Sequence, residues 1–358
     1  MGFEPFLGNP AAVSTVRKML AEGAMPGSLL FAGPDGVGKE TLAMMLAKAL
    51  NCERLIGDFC AQCPHCLKGE EMLSLSRQDL SRRREMKDAS RRVDGLIYFD
   101  IQLIEPITRY ILIDQIRHLR SVAYTRPFEL ARRVFIVDQA QAIHWQAVDL
   151  LLKVMEEPPP STTIILVCPN AHELRPTIRS RCHHVPFLPV DDALIEGLLR
   201  DERHIPSAQL PLAVRVASGS IAAAKGFDLA EFQRRRKPWI DFLNGVTSKP
   251  SRAMEPPDWK NLFDSTKALA ENRSDLEGVL KLGYSLLSDM LQVLENPSGG
   301  RVAHLDLEAR LKAWAAKLRL EGIERLKTGL DDAHRLETRN VNQQLGWEAL
   351  ATELISPL

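Results

Sequence analysis

The sequence predicts an α/β domain built around a phosphate-binding loop, followed by helical domains. Three observations carry this. A short apolar run, Ser28–Ala32 (SLLFA), opens directly into the glycine loop GPDGVGKET at residues 33–41. Two further apolar runs, Arg133–Asp138 (RVFIVD) and Thr163–Cys168 (TIILVC), read as buried strands with an amphipathic helix, Trp145–Met155, between them. After Pro189 the strand signals fade. Strands that alternate with helices imply a parallel sheet covered on both faces.

The elements follow in order. Thr41–Leu50 (TLAMMLAKAL) is rich in helix formers and completes a strand–loop–helix unit, the setting a phosphate loop requires. The Trp145–Met155 helix is stopped by Pro158-Pro159-Pro160. Residues 76–95, which carry Arg82-Arg83-Arg84 and Arg91-Arg92, have little apolar periodicity and are expected to form a solvated surface insertion. A nucleic-acid-contacting arm is the alternative, disfavoured because Glu85, Asp88 and Asp94 dilute the charge. Asp191–Asp201 and Ser207–Lys225 read as small helices of a lid-like domain, and Arg234–Pro238 as a hinge. Beyond it lie amphipathic runs at Leu276–Leu294, Leu305–Leu330 and Asn342–Leu354, with a turn at Gly299-Gly300. Three domains are therefore expected, at 1–188, 189–233 and 234–358.

Composition narrows the class of function. A chain of 358 residues is long for one core, and 45% hydrophobic with 26% charged residues is ordinary for a globular protein. Lys+Arg 46 balances Asp+Glu 46, so nothing draws the whole chain toward nucleic acid. The longest apolar runs, such as Leu42–Leu50, fall far short of the ~20 residues a membrane span needs. A cytoplasmic location is expected.

Four of the six cysteines crowd into Cys52, Cys60, Cys63 and Cys66, spaced C-x7-C-x2-C-x2-C. Without a secretory signal, that spacing points to a metal rather than disulfides. Four thiolates suit tetrahedral Zn2+ in a closed, structural site. An iron–sulfur cluster is the alternative, weakened because the downstream Cys-Pro of a ferredoxin run is missing. His65 reads as a bystander, and Cys168 and Cys182 as buried thiols.

Gly33, Gly36 and Gly38 let backbone N–H groups converge on phosphate oxygens, while Lys39 supplies a charge for the outer phosphates. The residue after the lysine normally offers a hydroxyl to magnesium, and here it is Glu40. Thr41 lies roughly 100° further around the helix and is a poor substitute. Asp138 ends a buried strand, where an acid would face the phosphates; a carboxylate capping the following turn is the alternative, and pairing with the glycine loop favours the nucleotide site. The following position, where a glutamate would serve as general base, holds Gln139, which cannot take a proton at neutral pH. An arginine held at a helix end can neutralise charge on a phosphoryl group across a subunit boundary. Taken alone, however, Ser180-Arg181-Cys182 reads as an ordinary surface ion pair.

Together these pieces resemble the clamp-loader branch of the AAA+ ATPases, and most closely the delta-prime family of bacterial DNA polymerase III subunits, relatives of gamma/tau. The likeness is carried by residues 5–43 (PFLGNP to KETLA), the four cysteines, Ile113–Arg117, and LLLKVMEEPPPSTTIILVCPN followed by LRPTIRSRC. It covers about residues 3–225 and is weaker in the tail, at Asn340-Val341-Asn342 with Leu345. It implies an AAA+ P-loop domain with a zinc module, a small helical lid and an all-α collar. It also implies hetero-oligomeric assembly with gamma/tau and delta subunits, and a sliding clamp placed on primed DNA. Asn170 would occupy a sensor position, and Arg181 would act in trans on a neighbour's ATP. Hydrolysing relatives carry an arginine after Gly-Ser-x, where this chain has Ala222. With Glu40 and Gln139, that makes three departures in one site, so the resemblance implies a loop that can keep some affinity for ATP/Mg2+ but no turnover by this chain. The competing readings are an active gamma/tau-type ATPase and a stand-alone zinc nucleic-acid-binding protein.

Overall fold

Four strands are apolar along most of their length: β1 (Ser28–Ala32), β2 (Ile101–Ile104), β3 (Arg133–Val137) and β4 (Thr162–Cys168). Strands buried on both faces need cover on both, which crossover helices provide. In the computed structural model they form one sheet with β5 (His183–Pro186), in the order β2-β3-β4-β1-β5, with every pairing parallel. The structure describes residues 2–97, 99–202, 205–248, 259–271, 276–296, 302–336 and 343–355.

The described chain divides into two units, Met1–Ile195 with Gly219–Ala222, and Glu196–Ser218 with Ala223–Leu358. In the first, the sheet is accompanied by α1 (Pro10–Ala21), α2 (Lys39–Ala49), α3 (Pro64–Glu85), α4 (Ile113–Ala123), α5 (Val148–Glu156) and the single turn α6 (Pro176–Arg179). Proline at the first position starts α1, α3 and α6, where its missing N–H costs no helical bond. α5 ends at Glu156, because a residue preceding proline is pushed out of the helical region and Glu157 precedes Pro158. The expected Trp145–Met155 helix is split. Trp145–Ala147 is a 3-10 turn and the α-helix begins at Val148.

The segment 76–95 corrects the sequence reading. Its first half is the C-terminal half of α3, a helix that keeps most side chains at the surface while Ser76, Leu80 and Arg83 are buried. Ser76 Oγ accepts the Leu103 N–H at 2.9 Å, tying the helix to edge strand β2. Arg83 is buried, donating to Asp79 and to the carbonyls of Arg92, Asp94 and Gly95 at 2.5–2.9 Å. Its guanidinium organises the turn that returns the chain to the sheet.

The second unit is helical, with α7 (Asp192–Glu202) running into it, then α8 (Leu210–Ala217), α9 (Ile221–Lys225), α10 (Leu229–Thr247), α11 (Trp259–Glu271), α12 (Leu276–Glu295), α13 (Glu308–Leu336) and α14 (Gln343–Ile355). Arg234–Pro238, read as a hinge, lies inside α10. Arg234 and Arg235 are paired with Glu231 one turn back, while Arg236 points inward to Asp306. α13 is kinked at Arg319, where φ is 54°. Trp239, Phe242, Met290, Trp314 and Trp347 centre its core, with the Trp239 and Trp347 rings edge-to-face at 5.3 Å. Gly299-Gly300 and Asn340-Val341-Asn342 lie outside the described residues.

A buried ion pair closes the N-terminal ends of β2 and β3. Asp100 meets Arg133 at 3.0 Å and accepts the backbone N–H groups of Phe128, Glu129 and Leu130 at 2.7–3.0 Å. Burial opposes the Asp100 charge, but those donors and Arg133 outweigh it and hold the carboxyl below its ordinary range. Asp100→Ala would leave the Arg133 guanidinium buried without its counter-charge. The expected loss is about 3–5 kcal/mol of first-unit stability, read by urea denaturation, with part of it recovered in the double variant with Arg133→Leu.

Candidate functional site

Parallel strands give a sheet two unlike edges, and loops leaving the C-terminal ends gather on one of them. They include residues 33–38 after β1, 105–112 after β2, 138–147 after β3, and 169–175 after β4. Gly36 and Gly38 take φ of 73° and 97°, a region closed to most side chains. A side chain at Gly36 would also collide with Ser220 and Ala222. The loop ends at the N-terminus of α2, whose partial positive charge favours an anion.

Lys39 is buried, and its ammonium donates to the carbonyls of Gly33 and Pro34 at 2.6 Å each, with Asp35 3.8 Å away. Burial lowers its pKa, against the opposing pull of Asp35, Asp138 and Cys168. Glu40 stands beside it at the start of α2. Its carboxylate is paired with Arg77 of α3 at 2.8 Å, and Arg77 also reaches the Met44 sulfur at 3.0 Å. Asp138 feels the consequence. Burial first, and the Glu40 charge second, push its carboxyl up to about 6. Gln139 takes a left-handed conformation, φ 52°, at the following turn. Asn170 is exposed and its Oδ1 accepts the His172 N–H at 2.9 Å. Ala222 donates its N–H to the Gly36 carbonyl at 3.1 Å, so the short segment after Gly219 rests on the loop.

Arg181 lies on the other edge. It precedes β5, which runs parallel to β1 with Leu29 opposite His183 and Ala32 opposite Pro186. The loop leaves the far end of β1, so the length of a four-residue strand, about 13 Å, separates the two. Arg181 is held there by Glu156 at 2.7 Å and by the Thr177 carbonyl at 3.0 Å, with its side chain still part-exposed. Arg179 beside it meets the His172 ring at 2.8 Å. Burial pushes the Cys168 and Cys182 thiols up to about 11 and 12, so neither is a thiolate at neutral pH.

The thiols of Cys52, Cys60, Cys63 and Cys66 all lie within 4.8 Å of one another. A tetrahedral zinc–thiolate site needs sulfurs about 3.8 Å apart, so the cluster fits that ion after a small contraction. Cys60 accepts the Cys63 N–H at 3.2 Å, and Cys63 accepts the Cys66 N–H at 3.4 Å while capping α3. Backbone N–H groups of Gln62 and Cys63, against burial, draw the Cys60 thiol down to about 6. The His65 ring turns instead to the Asn51 carbonyl and Glu53, at 3.2 and 3.3 Å.

Sequence reasoning thus found the loop, the acid strand and the thiol cluster. It missed Arg77, hidden in a segment read as a surface insertion, and Glu156, which stood in plain view in EEPP without a partner in sequence. The sign of the Asp138 shift yields a test. A carboxyl raised in the folded state is stabilising only while protonated, and that benefit is lost as pH rises through about 6. Asp138→Asn should therefore melt higher than wild type at pH 7.5, with the gap shrinking toward pH 4.5; a gap that does not vary with pH would contradict the shift.

A protein-family model described as DNA polymerase III, delta subunit, matches residues 8–191. The DNA polymerase III subunit gamma/tau of Mycobacterium tuberculosis (strain H37Rv) is 29% identical over 223 residues, 61% of this chain and 35% of that protein. The tau subunit of Escherichia coli (strain K12) is 28% identical over 229 residues, 62% of this chain and 32% of its own. The Bacillus subtilis (strain 168) tau subunit is 26% identical over 228 residues, covering 62% and 36%. The chain therefore spans about a third of the length of the curated relatives it matches. Among solved structures, a gamma subunit-related protein of Thermotoga maritima aligns over 96% of this chain and 98% of its own, with 18% identity. Its TM-score is 0.44, too low to weigh.

Proposed function

The chain belongs to the DNA polymerase III, delta subunit family, and on that premise we propose that it is a delta-prime-type clamp-loader subunit that turns over no ATP itself. In this reading it assembles with gamma/tau and delta subunits, and the assembly places a sliding clamp on primed DNA. One observation carries the proposal: the altered loop and Arg181 stand on opposite edges of one sheet, so Arg181 cannot serve its own loop.

At the loop, Gly33, Gly36, Gly38 and Lys39 would cradle phosphate. A magnesium-bound triphosphate does not fit this set of donors. Glu40 brings negative charge where a hydroxyl belongs and is tied to Arg77. Gln139 has no basicity to activate water, and Ala222 supplies no cation. At the other edge, Arg181 would offer its guanidinium to the γ-phosphate held by a neighbouring gamma/tau subunit and stabilise the charge spread over its oxygens. Glu156 and Thr177 pre-orient that guanidinium, which lowers the entropy lost on contact. The lid and the collar would carry assembly. The four cysteines would hold Zn2+ structurally, since a four-thiolate site leaves no position for a reactant.

The names of the curated relatives favour a second reading, an active gamma/tau-type ATPase. The two separate in a reconstituted loader stimulated by DNA and clamp. Arg181→Ala should lower total ATP turnover by the share of one site, because such an arginine is worth ~10³-fold or more where it acts, and Lys39→Ala should change nothing. Turnover that falls with Lys39→Ala would favour the ATPase. Turnover indifferent to Arg181→Ala, with assembly intact, would mean that the arginine is structural.

For the thiol cluster, chelation should lower the melting temperature of the first unit and release one zinc per chain, by metal analysis. Iron, or no metal, would overturn the assignment.

A further inference from the structure

We propose that His172 and His184 are positioning residues for Arg181, clamping from two sides the single helical turn that leads into it. The proposal rests on the trans role given to Arg181. α6 has four residues, too few to hold their shape by helical bonds alone. Ile178 is the one residue of the turn that is buried, and a single apolar anchor fixes a point without fixing rotation about it. Arg181 moves with the turn. Its guanidinium donates to the Thr177 carbonyl at 3.0 Å, and its backbone N–H to the Ile178 carbonyl at 3.1 Å.

Two rings supply the missing restraint. His172 Nδ1 meets the Arg179 guanidinium at 2.8 Å, and His184 Nε2 lies 3.0 Å from the Arg179 carbonyl. The partners fix each proton. A guanidinium only donates, so His172 Nδ1 accepts with its lone pair; a carbonyl only accepts, so His184 Nε2 carries the hydrogen. The two rings come from different elements. His172 sits in the 3-10 turn Ala171–Glu173 after β4, and His184 is the second residue of β5, opposite Leu30 of β1. Asn170 caps that 3-10 turn through its Oδ1, 2.9 Å from the His172 N–H. The side chain at the position the resemblance gives to a sensor thus spends its oxygen on the turn that aims His172. With Glu156 of α5 gripping the guanidinium itself at 2.7 Å, α6 and Arg181 are tied to three separate elements. A charge held in place before contact loses less entropy when a phosphoryl group meets it.

Two readouts test this. In the full chain alone, hydrogen exchange by mass spectrometry reports on residues 178–182, whose backbone N–H groups bond back into the turn. In the reconstituted loader, the second readout is the share of DNA- and clamp-stimulated ATP turnover that Arg181→Ala removes. His172→Ala should speed exchange about 5-fold and cut that share by about the same factor. His172→Asn puts an oxygen where Nδ1 stands and should restore both, whereas His172→Lys, which only donates, should do no better than alanine. His184→Gln, which keeps a donor, should restore what His184→Ala loses. Both rings are exposed, so the melting temperature should not move. Exchange at the wild-type rate in His172→Ala would overturn the proposal. So would faster exchange with the share intact, a smaller share with exchange unchanged, or equal losses in His172→Asn and His172→Ala. If Arg181→Ala itself leaves turnover unchanged, the trans reading fails, and exchange alone then upholds or overturns the clamp.

Discussion

Strand direction is the constraint on which the first unit depends. Because β1 through β5 all run the same way, each loop after a strand lands on one edge and each approach to a strand lands on the other. The phosphate loop, Asp138 and Asn170 share the first edge by topology alone. Arg181, its partner Glu156 and the Asp100–Arg133 pair share the second. The phosphate loop and Arg181 are thus kept apart by about 13 Å of strand.

Charge balance then decides what the loop edge can do. Lys39 and the α2 N-terminus favour anions, but Glu40, Asp35 and Asp138 stand close by. Part of that excess is absorbed locally: Arg77 takes up Glu40, and Asp138 titrates near neutrality rather than holding a full charge at every pH. The long helix α3 links the features, since it starts at the cysteine cluster, supplies Arg77 to the loop and binds β2 through Ser76.

The helical unit follows another logic. Its core is apolar, yet Arg236 and Asp306 are paired at one side of it, and Asp289 accepts from His304 and from the backbone of Ala303. Buried pairs of this kind add little net stability against apolar replacements of the same volume.

The sequence by itself determined the strand–loop–helix unit, the inner strands β1, β3 and β4, the thiol spacing and the identities of Glu40, Gln139 and Ala222. Each is a local signal: an apolar run, a glycine pattern or a fixed interval between ligands. The edge strands were not legible, since Ile101–Ile104 is too short to show periodicity and His183–Pro186 is mostly exposed. Neither was the role of the arginine runs. In sequence Arg83 and Arg236 look like their solvated neighbours, and only folding supplies the Asp79, Gly95 and Asp306 oxygens that make burial of a guanidinium tolerable. Tertiary structure alone decided that Glu40 has a guanidinium partner 37 residues away and that Glu156 holds Arg181. Pairings across such separations leave no periodic trace, because they are set by where the sheet delivers its loops.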